Sequence, residues 1–330
     1  MTALNPAAPP PRLPALAAEE LGVALPLSRR RLQAVGGVSF ALPRGRCLGV
    51  LGESGSGKSV MLRALLGLWP RGAHVTGRIL LAGEDMTGAS EARWRAKRGR
   101  AAAMIFQDPM TGFDPTRRIG AQIAEAVAVS APAERDRRGR TLAVLALARV
   151  PDPARCANSY PDELSGGLRQ RCMVAMALAG EPAALLADEP TTALDVSVQA
   201  QILQLLRALM AERGMGLLLV THDTGVLAEL AEEVAVMYAG RFVETGPASA
   251  VLNRPAHPYS AGLVAATVTL GHRGRPLSPI PGAPPPLDAL PTGCAFRPRC
   301  PRALPICAME RPELTEVAPG RRAACHAPLL

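Results

Sequence analysis

The chain has 330 residues, 48% hydrophobic and 20% charged, with a net charge of +9. That is enough apolar material for one large globular domain with an appendage. No uninterrupted run of about 18 apolar residues occurs, the best candidates breaking at Glu181 and Pro182, and the Pro-rich start lacks a basic leader region. A membrane-spanning or secreted chain is therefore not expected, and a soluble, cytoplasmic one is. The positive charge suits nucleic acid, an anionic membrane surface or simply an Arg-rich composition. With five Phe, three Tyr and two Trp there is little to stack bases on, so no nucleic-acid partner is expected and a membrane surface fits better.

In chain order, residues 1–20 are expected to be disordered, because Pro9, Pro10, Pro11 and Pro14 interrupt every period. The fold is expected from residue 21. β segments at Val38 to Leu42 and Gly77 to Ala82 flank the apolar run Cys47–Leu51, which leads into Gly52, Glu53, Ser54, Gly55, Ser56, Gly57, Lys58 and Ser59. These eight residues match G-x-x-x-x-G-K-[ST] at every fixed position, and an apolar helix from Val60 to Leu68 is expected behind them. The glycines let backbone N–H groups turn inward around phosphates, with the positive end of the helix behind. Lys58 would reach the β- and γ-phosphates and Ser59 would ligate Mg²⁺, so MgATP or MgGTP is the expected ligand. Further on, Gln122 to Val129 and Thr141 to Val150 carry apolar residues at helical spacing, which predicts a mainly helical stretch over about 111–180.

Leu164-Ser165-Gly166-Gly167-Leu168-Arg169-Gln170-Arg171 opens an apolar helix from Leu168 to Leu178. Alone, Ser-Gly-Gly would be an ordinary loop. Opening a helix in a chain with a phosphate loop, LSGG-x-x-Q resembles the signature of ATP-binding-cassette proteins. Ser165, Gly166, Gly167 and Gln170 are then expected at a γ-phosphate. Ala183 to Pro190 reads as a buried parallel strand ending in Asp188 and Glu189. Asp188 would hold Mg²⁺ through water and Glu189 would be the general base on the attacking water. Thr192-Ala193-Leu194-Asp195 resembles the D-loop, and Leu217 to Asp223 is a second apolar strand, ending near His222, which resembles the switch histidine. Gln107 resembles the Q-loop glutamine that senses Mg²⁺ and the attacking water. The absence of an Asn-Lys-x-Asp guanine-reading motif argues against GTP. The family's adenine-stacking aromatic is missing here, where the chain reads Ser28-Arg29-Arg30-Arg31-Leu32-Gln33, so adenine would lie on Leu32 or under an arginine. Val234 to Thr245 looks like a hairpin.

The resemblance implies an α/β fold: a P-loop ABC nucleotide-binding domain over 21–254, with a RecA-like core, an antiparallel β layer and the helical subdomain. A smaller Cys-rich extension over 255–330 follows. In that tail Pro255 to Ser260, the Pro279–Pro286 stretch and Gly293 to Pro301 resemble the oligopeptide/dipeptide-importer ATPases, whose close relatives move nickel chelates and other small solutes. Cys294, Cys300, Cys307 and Cys325 are too many thiols for disulfides in a cytosolic protein, so metal ligation is expected. Spacings of five, six and seventeen residues fit neither a zinc ribbon nor a bacterial ferredoxin, and leave Zn²⁺ and [4Fe–4S] open. The resemblance favours [4Fe–4S]. Cys47, Cys156 and Cys172 read as small apolar fillers.

As a member of that family the chain would hydrolyse ATP to drive import of peptides, or of nickel or another solute, at the cytoplasmic face of the membrane. The implied partners are a second ABC ATPase subunit (a paralogue or a second copy), two transmembrane permease subunits and, indirectly, an extracytoplasmic solute-binding protein. Each Ser165 would act in trans, and a permease helix would dock near Met110 and Phe113. A chromosome-organising cassette would need a long coiled-coil insertion, whereas only about 105 residues, without heptads, separate phosphate loop and signature.

Overall fold

The computed structural model describes residues 13–27, 30–108, 112–192, 194–266 and 279–330. Its strands are β1 (Leu16–Pro26), β2 (Arg31–Leu42), β3 (Cys47–Leu51), β4 (His74–Leu81), β5 (Glu84–Asp85), β6 (Ala102–Ile105), β7 (Ala184–Asp188), β8 (Gly216–Thr221), β9 (Glu233–Tyr238), β10 (Arg241–Pro247), β11 (Thr315–Ala318) and β12 (Arg321–Ala323). The helices are α1 (Lys58–Ala64), α2 (Glu91–Lys97), α3 (Ile119–Ser130), α4 (Arg137–Leu147), α5 (Pro153–Asn158), α6 (Gly166–Ala177), α7 (Val196–Arg213), α8 (Thr224–Leu230), α9 (Ala248–Asn253), α10 (Pro258–Ala265) and α11 (Ile306–Met309).

A parallel β6-β7-β8-β3-β9 block forms the middle of the larger sheet, and its strands are apolar on both faces. The two-residue side-chain period sorts each strand between two cores. Leu185, Ala187, Leu217, Leu219, Val234 and Val236 pack on the helical side with Cys172 and Met173. Ala184, Leu186, Leu218, Val220, Ala235 and Met237 pack on the other, with Leu16, Val35 and Met61. That second core is closed by an antiparallel layer of order β2-β1-β4-β5. The predicted hairpin is β9 with β10.

Some expected boundaries move. Disorder was expected through residue 20, but the chain is proline-free from Ala15 to Leu25, and Leu16, Leu21 and Val23 bury fully in β1. Residues 1–12 lie outside the described ones. α4 starts four residues before the expected Thr141, because the Asp136 side chain caps it by accepting from the Gly139 N–H at 2.8 Å. α3 buries Ile119, Ile123 and Val127, a four-residue spacing that turns one face to α4, α5 and α6.

The tail is less of an appendage than its composition suggested. β12 pairs with β10 (Glu244↔Ala323, Thr245↔Arg322) and β11 pairs with β12, so the tail adds two strands to the core sheet. At this seam Glu244 is fully buried. Its carboxylate accepts from Arg321 (3.0 Å), Ala256 N–H (2.8 Å) and His257 N–H (2.9 Å), so no acceptor lacks a partner and the charge is paired.

Candidate functional site

The phosphate loop lies between β3 and α1, at the carboxyl end of a parallel strand. Glycine is required at two of its positions. A Cβ on Gly52 would sit 2.4 Å from the Met237 carbonyl oxygen, and Gly57 combines a φ of 103° with a Cβ position 2.4 Å from the Ala34 carbonyl oxygen. Lys58 is buried and folded back over the loop, its Nζ donating to the carbonyls of Gly52 (2.7 Å) and Glu53 (2.8 Å). Burial lowers the Lys58 pKa, opposed by the carboxylates of Glu189, Asp188 and Glu53. Ser54 and Gly55 are exposed, while Ser56 is buried, its carbonyl accepting from Gly240 N–H at 2.9 Å.

Asp188 ends β7 beside the loop. Burial raises its pKa, and the Ser59 hydroxyl donates to it, so two of the three residues expected at Mg²⁺, with Gln107 the third, are in contact. The next residue, Glu189, has a φ of 48°, a conformation costing a non-glycine residue on the order of 1–3 kcal/mol. Its N–H donates to the Val220 carbonyl on β8 (2.9 Å). Its Oε2 receives the Gln107 amide (3.3 Å) and the Thr192 hydroxyl (2.8 Å), and the His222 ring nitrogen Nδ1 lies 3.3 Å from it. Three residues 82, 3 and 33 positions away in sequence thus meet at one oxygen, because β6, β7 and β8 are adjacent and end at the same edge. Thr192 was seen in the sequence as part of the D-loop, not as a partner of Glu189.

The signature lies elsewhere. Ser165 caps α6 by accepting from Leu168 N–H (3.4 Å), and a Cβ on Gly167 would collide with Val198. Among the described residues no hydrogen bond or ion pair joins Ser165, Gly166 or Gly167 to the phosphate loop. Gln170 departs from expectation: it is 2% exposed and packs inside the helical layer, since the helical period after the cap turns it inward. Asp195 caps α7, accepting from Val198 N–H (2.9 Å) and Ser197 Oγ (2.6 Å); the Ser197 bond, first, holds its carboxyl below the ordinary range. Ala193 lies outside the described residues. At the expected adenine platform, Leu32 is half-buried on β2 and Arg30 pairs with Asp288 of the tail at 2.8 Å.

In the tail, Cys294, Cys300, Cys307 and Cys325 line one small cleft, with Phe296 and Pro258 as its apolar wall. Burial raises the pKa of Cys294, Cys300 and Cys325. Among the described residues no group of three or more His, Cys, Asp or Glu is arranged to hold a metal ion. Cys294 and Cys300 flank the short turn Arg297–Arg299, Cys307 lies in α11 and Cys325 follows β12. Cys47, Cys156 and Cys172 are buried among apolar neighbours, Cys156 and Cys172 with their Sγ atoms 3.3 Å apart.

A two-layer core that presents a phosphate loop, an Asp-Glu strand end, a glutamine and a histidine at one edge is that of an ATP-binding-cassette ATPase. Residues 35–192 match the family profile "ABC transporter", and residues 243–307 match "Oligopeptide/dipeptide transporter, C-terminal region". The chain is 46% identical over 298 residues to the probable peptide ABC transporter ATP-binding protein y4tR of Sinorhizobium fredii, covering 89% of each chain. It is 43% identical over 300 residues to the dipeptide transport ATP-binding protein DppD of Escherichia coli, covering 90% of this chain and 91% of that one. Among solved structures, the dimeric bacterial ABC transporter cassette MJ0796 superposes with a TM-score of 0.61 at 27% identity, over 71% of this chain and 98% of that one. The chain belongs to the ABC transporter family, in its oligopeptide/dipeptide branch.

Proposed function

We propose that this chain is the ATP-hydrolysing subunit of a peptide importer, working at the cytoplasmic face of the membrane. The observation that carries the catalytic part is the meeting of Gln107, Thr192 and His222 at Glu189 Oε2. A carboxylate held by two donors, with an imidazole nitrogen 3.3 Å from the same oxygen, is positioned as general base for water, with Asp188 and Ser59 beside it to hold Mg²⁺ and Gly52–Ser59 to cradle the phosphates. Lys58 would exchange its two carbonyl acceptors for phosphate oxygens. The peptide cargo rests on the matched C-terminal region and on relatives named for peptide and dipeptide transport.

Ser165, Gly166 and Gly167 form a second anion-binding helix start that does not contact the chain's own phosphate loop. This supports an assembly in which two cassettes, identical or paralogous, meet head to tail so that each signature completes the other's site. Relatives of this fold include a cassette solved as a dimer. No helix among the described residues is long and apolar enough to cross a membrane, so separate permease subunits would carry the path. A groove between the Gln107 segment and the helical layer, lined by Leu68, Phe106, Val129 and Met176, has the apolar character to take a permease helix. Phe113, expected there, is instead buried in the core, and Met110 lies outside the described residues.

For the tail we propose a [4Fe–4S] cluster on Cys294, Cys300, Cys307 and Cys325. Support comes from the shared cleft with its apolar wall and from the resemblance of the tail to the oligopeptide/dipeptide-importer ATPases, with Zn²⁺ as the alternative. Protein purified without oxygen is expected to carry about four irons and four sulfides per chain. Stoichiometric zinc, or no metal, would overturn that assignment and leave the ATPase reading standing. The ATPase reading itself is tested by Glu189→Gln, expected to keep ATP binding and slow turnover by about 10²–10⁴. Near-parental turnover would remove Glu189 from the role of base.

A further inference from the structure

Glu53 is the second residue of the phosphate loop, and it is held from the tail through both its side chain and its backbone. Arg299 donates Nη1 and Nη2 to the two Glu53 carboxylate oxygens at 2.6 and 2.9 Å, a bidentate clamp. The Arg299 side chain is 4% exposed, and its Nε donates to the Pro281 carbonyl at 2.9 Å, so the guanidinium is fixed on two sides. The Glu53 N–H donates to the hydroxyl of Tyr259 at 2.9 Å. Tyr259 is fully buried at the start of α10, packed against Tyr238 (ring centroids 4.5 Å apart) and Phe296 (5.3 Å). The Glu53 carbonyl, in turn, accepts from Lys58 Nζ at 2.8 Å and from Ser56 N–H at 3.2 Å. Glu53 therefore links the tail directly to the loop's lysine.

Arg299 also lies on the short turn Arg297–Arg299 between two of the four tail thiols. Arg297 N–H donates to the Cys294 carbonyl (3.1 Å) and Cys300 N–H to the Arg297 carbonyl (3.2 Å). The turn that carries the clamp is thus bonded through its backbone to both thiol-bearing residues.

We infer that Arg299 and Tyr259 are positioning residues of the nucleotide site: the tail sets the shape of the phosphate loop through Glu53 and thereby sets ATP affinity. This deepens the ATPase reading above and rests on it. Because neither residue reaches the reacting atoms, the effect falls on binding and not on the chemical step. Losing a charge-assisted pair of this kind is expected to raise the Kd and KM for MgATP about tenfold, with kcat changed less than about threefold.

The test uses the full-length chain, with a fluorescent ATP analogue and Mg²⁺ for Kd and steady-state ATPase for KM and kcat. Arg299→Ala and Glu53→Gln are expected to weaken binding by similar factors, with the double variant no worse than either alone, and Arg299→Lys to recover part of the loss. Tyr259→Phe removes only the hydroxyl and keeps the ring in its cluster; it is expected to raise Kd about threefold to tenfold with unchanged melting temperature. If Arg299→Ala unfolds the tail, Tyr259→Phe and Arg299→Lys decide the matter. Parental Kd and KM in those two variants, or a fall in kcat at parental KM, overturns the inference. A parental chain that binds no ATP overturns the site reading instead, a result no variant can mimic.

Discussion

Glu189 meets Gln107 and His222 from neighbouring strand ends, and all three lie in motifs readable along the chain. The tail works differently: Tyr259, Arg299 and Arg321 meet Glu53 and Glu244 across 206, 246 and 77 residues, and none of the five belongs to a pattern that names its partner. The proposed catalytic edge is built by a repeated strand–loop–helix geometry that imposes sequence at fixed spacing. The tail is built by single buried charges and one buried hydroxyl, each satisfied by whatever the fold brings near. A site of the first kind announces its chemistry and conceals little; one of the second kind is visible only once the chain is folded.

The largest expected effect that separates the regions is at the seam. Arg321→Ala leaves the fully buried Glu244 carboxylate without its cation, and is expected to cost about 3–5 kcal/mol of folding stability, read by chemical or thermal unfolding. If the tail were a loose appendage, the same change would alter only a minor transition, so an unshifted main transition would break the comparison.

A smaller effect comes from His257, buried at the same seam, whose Nδ1 accepts from Tyr259 N–H at 3.0 Å. Burial pushes its pKa down from 6.5 to about 4. Between those values the unfolded chain takes up a proton that the folded chain refuses. Stability is therefore expected to fall as pH drops through that window, by at most about 1.4 kcal/mol per pH unit from this group, and this contribution levels off below its lower end. His257→Asn keeps a capping acceptor for α10 and removes the titration. An unfolding midpoint with the same pH slope in parent and variant would show that His257 is not the group responsible.

The smallest is in the catalytic edge. Thr192→Val removes the 2.8 Å bond to Glu189 while Gln107 still holds the same oxygen and His222 stays beside it, so turnover is expected to drop only about threefold to tenfold, at unchanged ATP affinity. A drop as large as that of Glu189→Gln would make Thr192 an indispensable part of the site and would sharpen the contrast with the tail, whose variants act on affinity.

The residues proposed for the catalytic edge were legible because they sit at strand ends and helix starts, where apolar periodicity and glycine placement are strong local signals. Sequence reading misjudged Gln170, which the helical period turns inward, and Phe113, which is buried although its place near Gln107 suggested a surface. It also put residues 16–20 in disorder from prolines that all precede them, when the apolar run starting at Ala15 had enough to bury as a strand. Thr192 could have been found, since a hydroxyl three residues after Glu189 is within reach of its carboxylate in a turn. For Arg299 and Tyr259 there was no signal of that kind.

What the sequence by itself determined is the cassette: the phosphate loop, the Asp188-Glu189 strand end, the signature and the histidine, because each is a short-range requirement of backbone geometry and phosphate chemistry. Only the tertiary structure decided that the Cys-bearing tail joins the core sheet and grips the phosphate loop through Glu53. That choice depends on which buried charges and hydroxyls meet across the whole chain, and desolvation penalties act in space, with no period along the sequence for a reader to find.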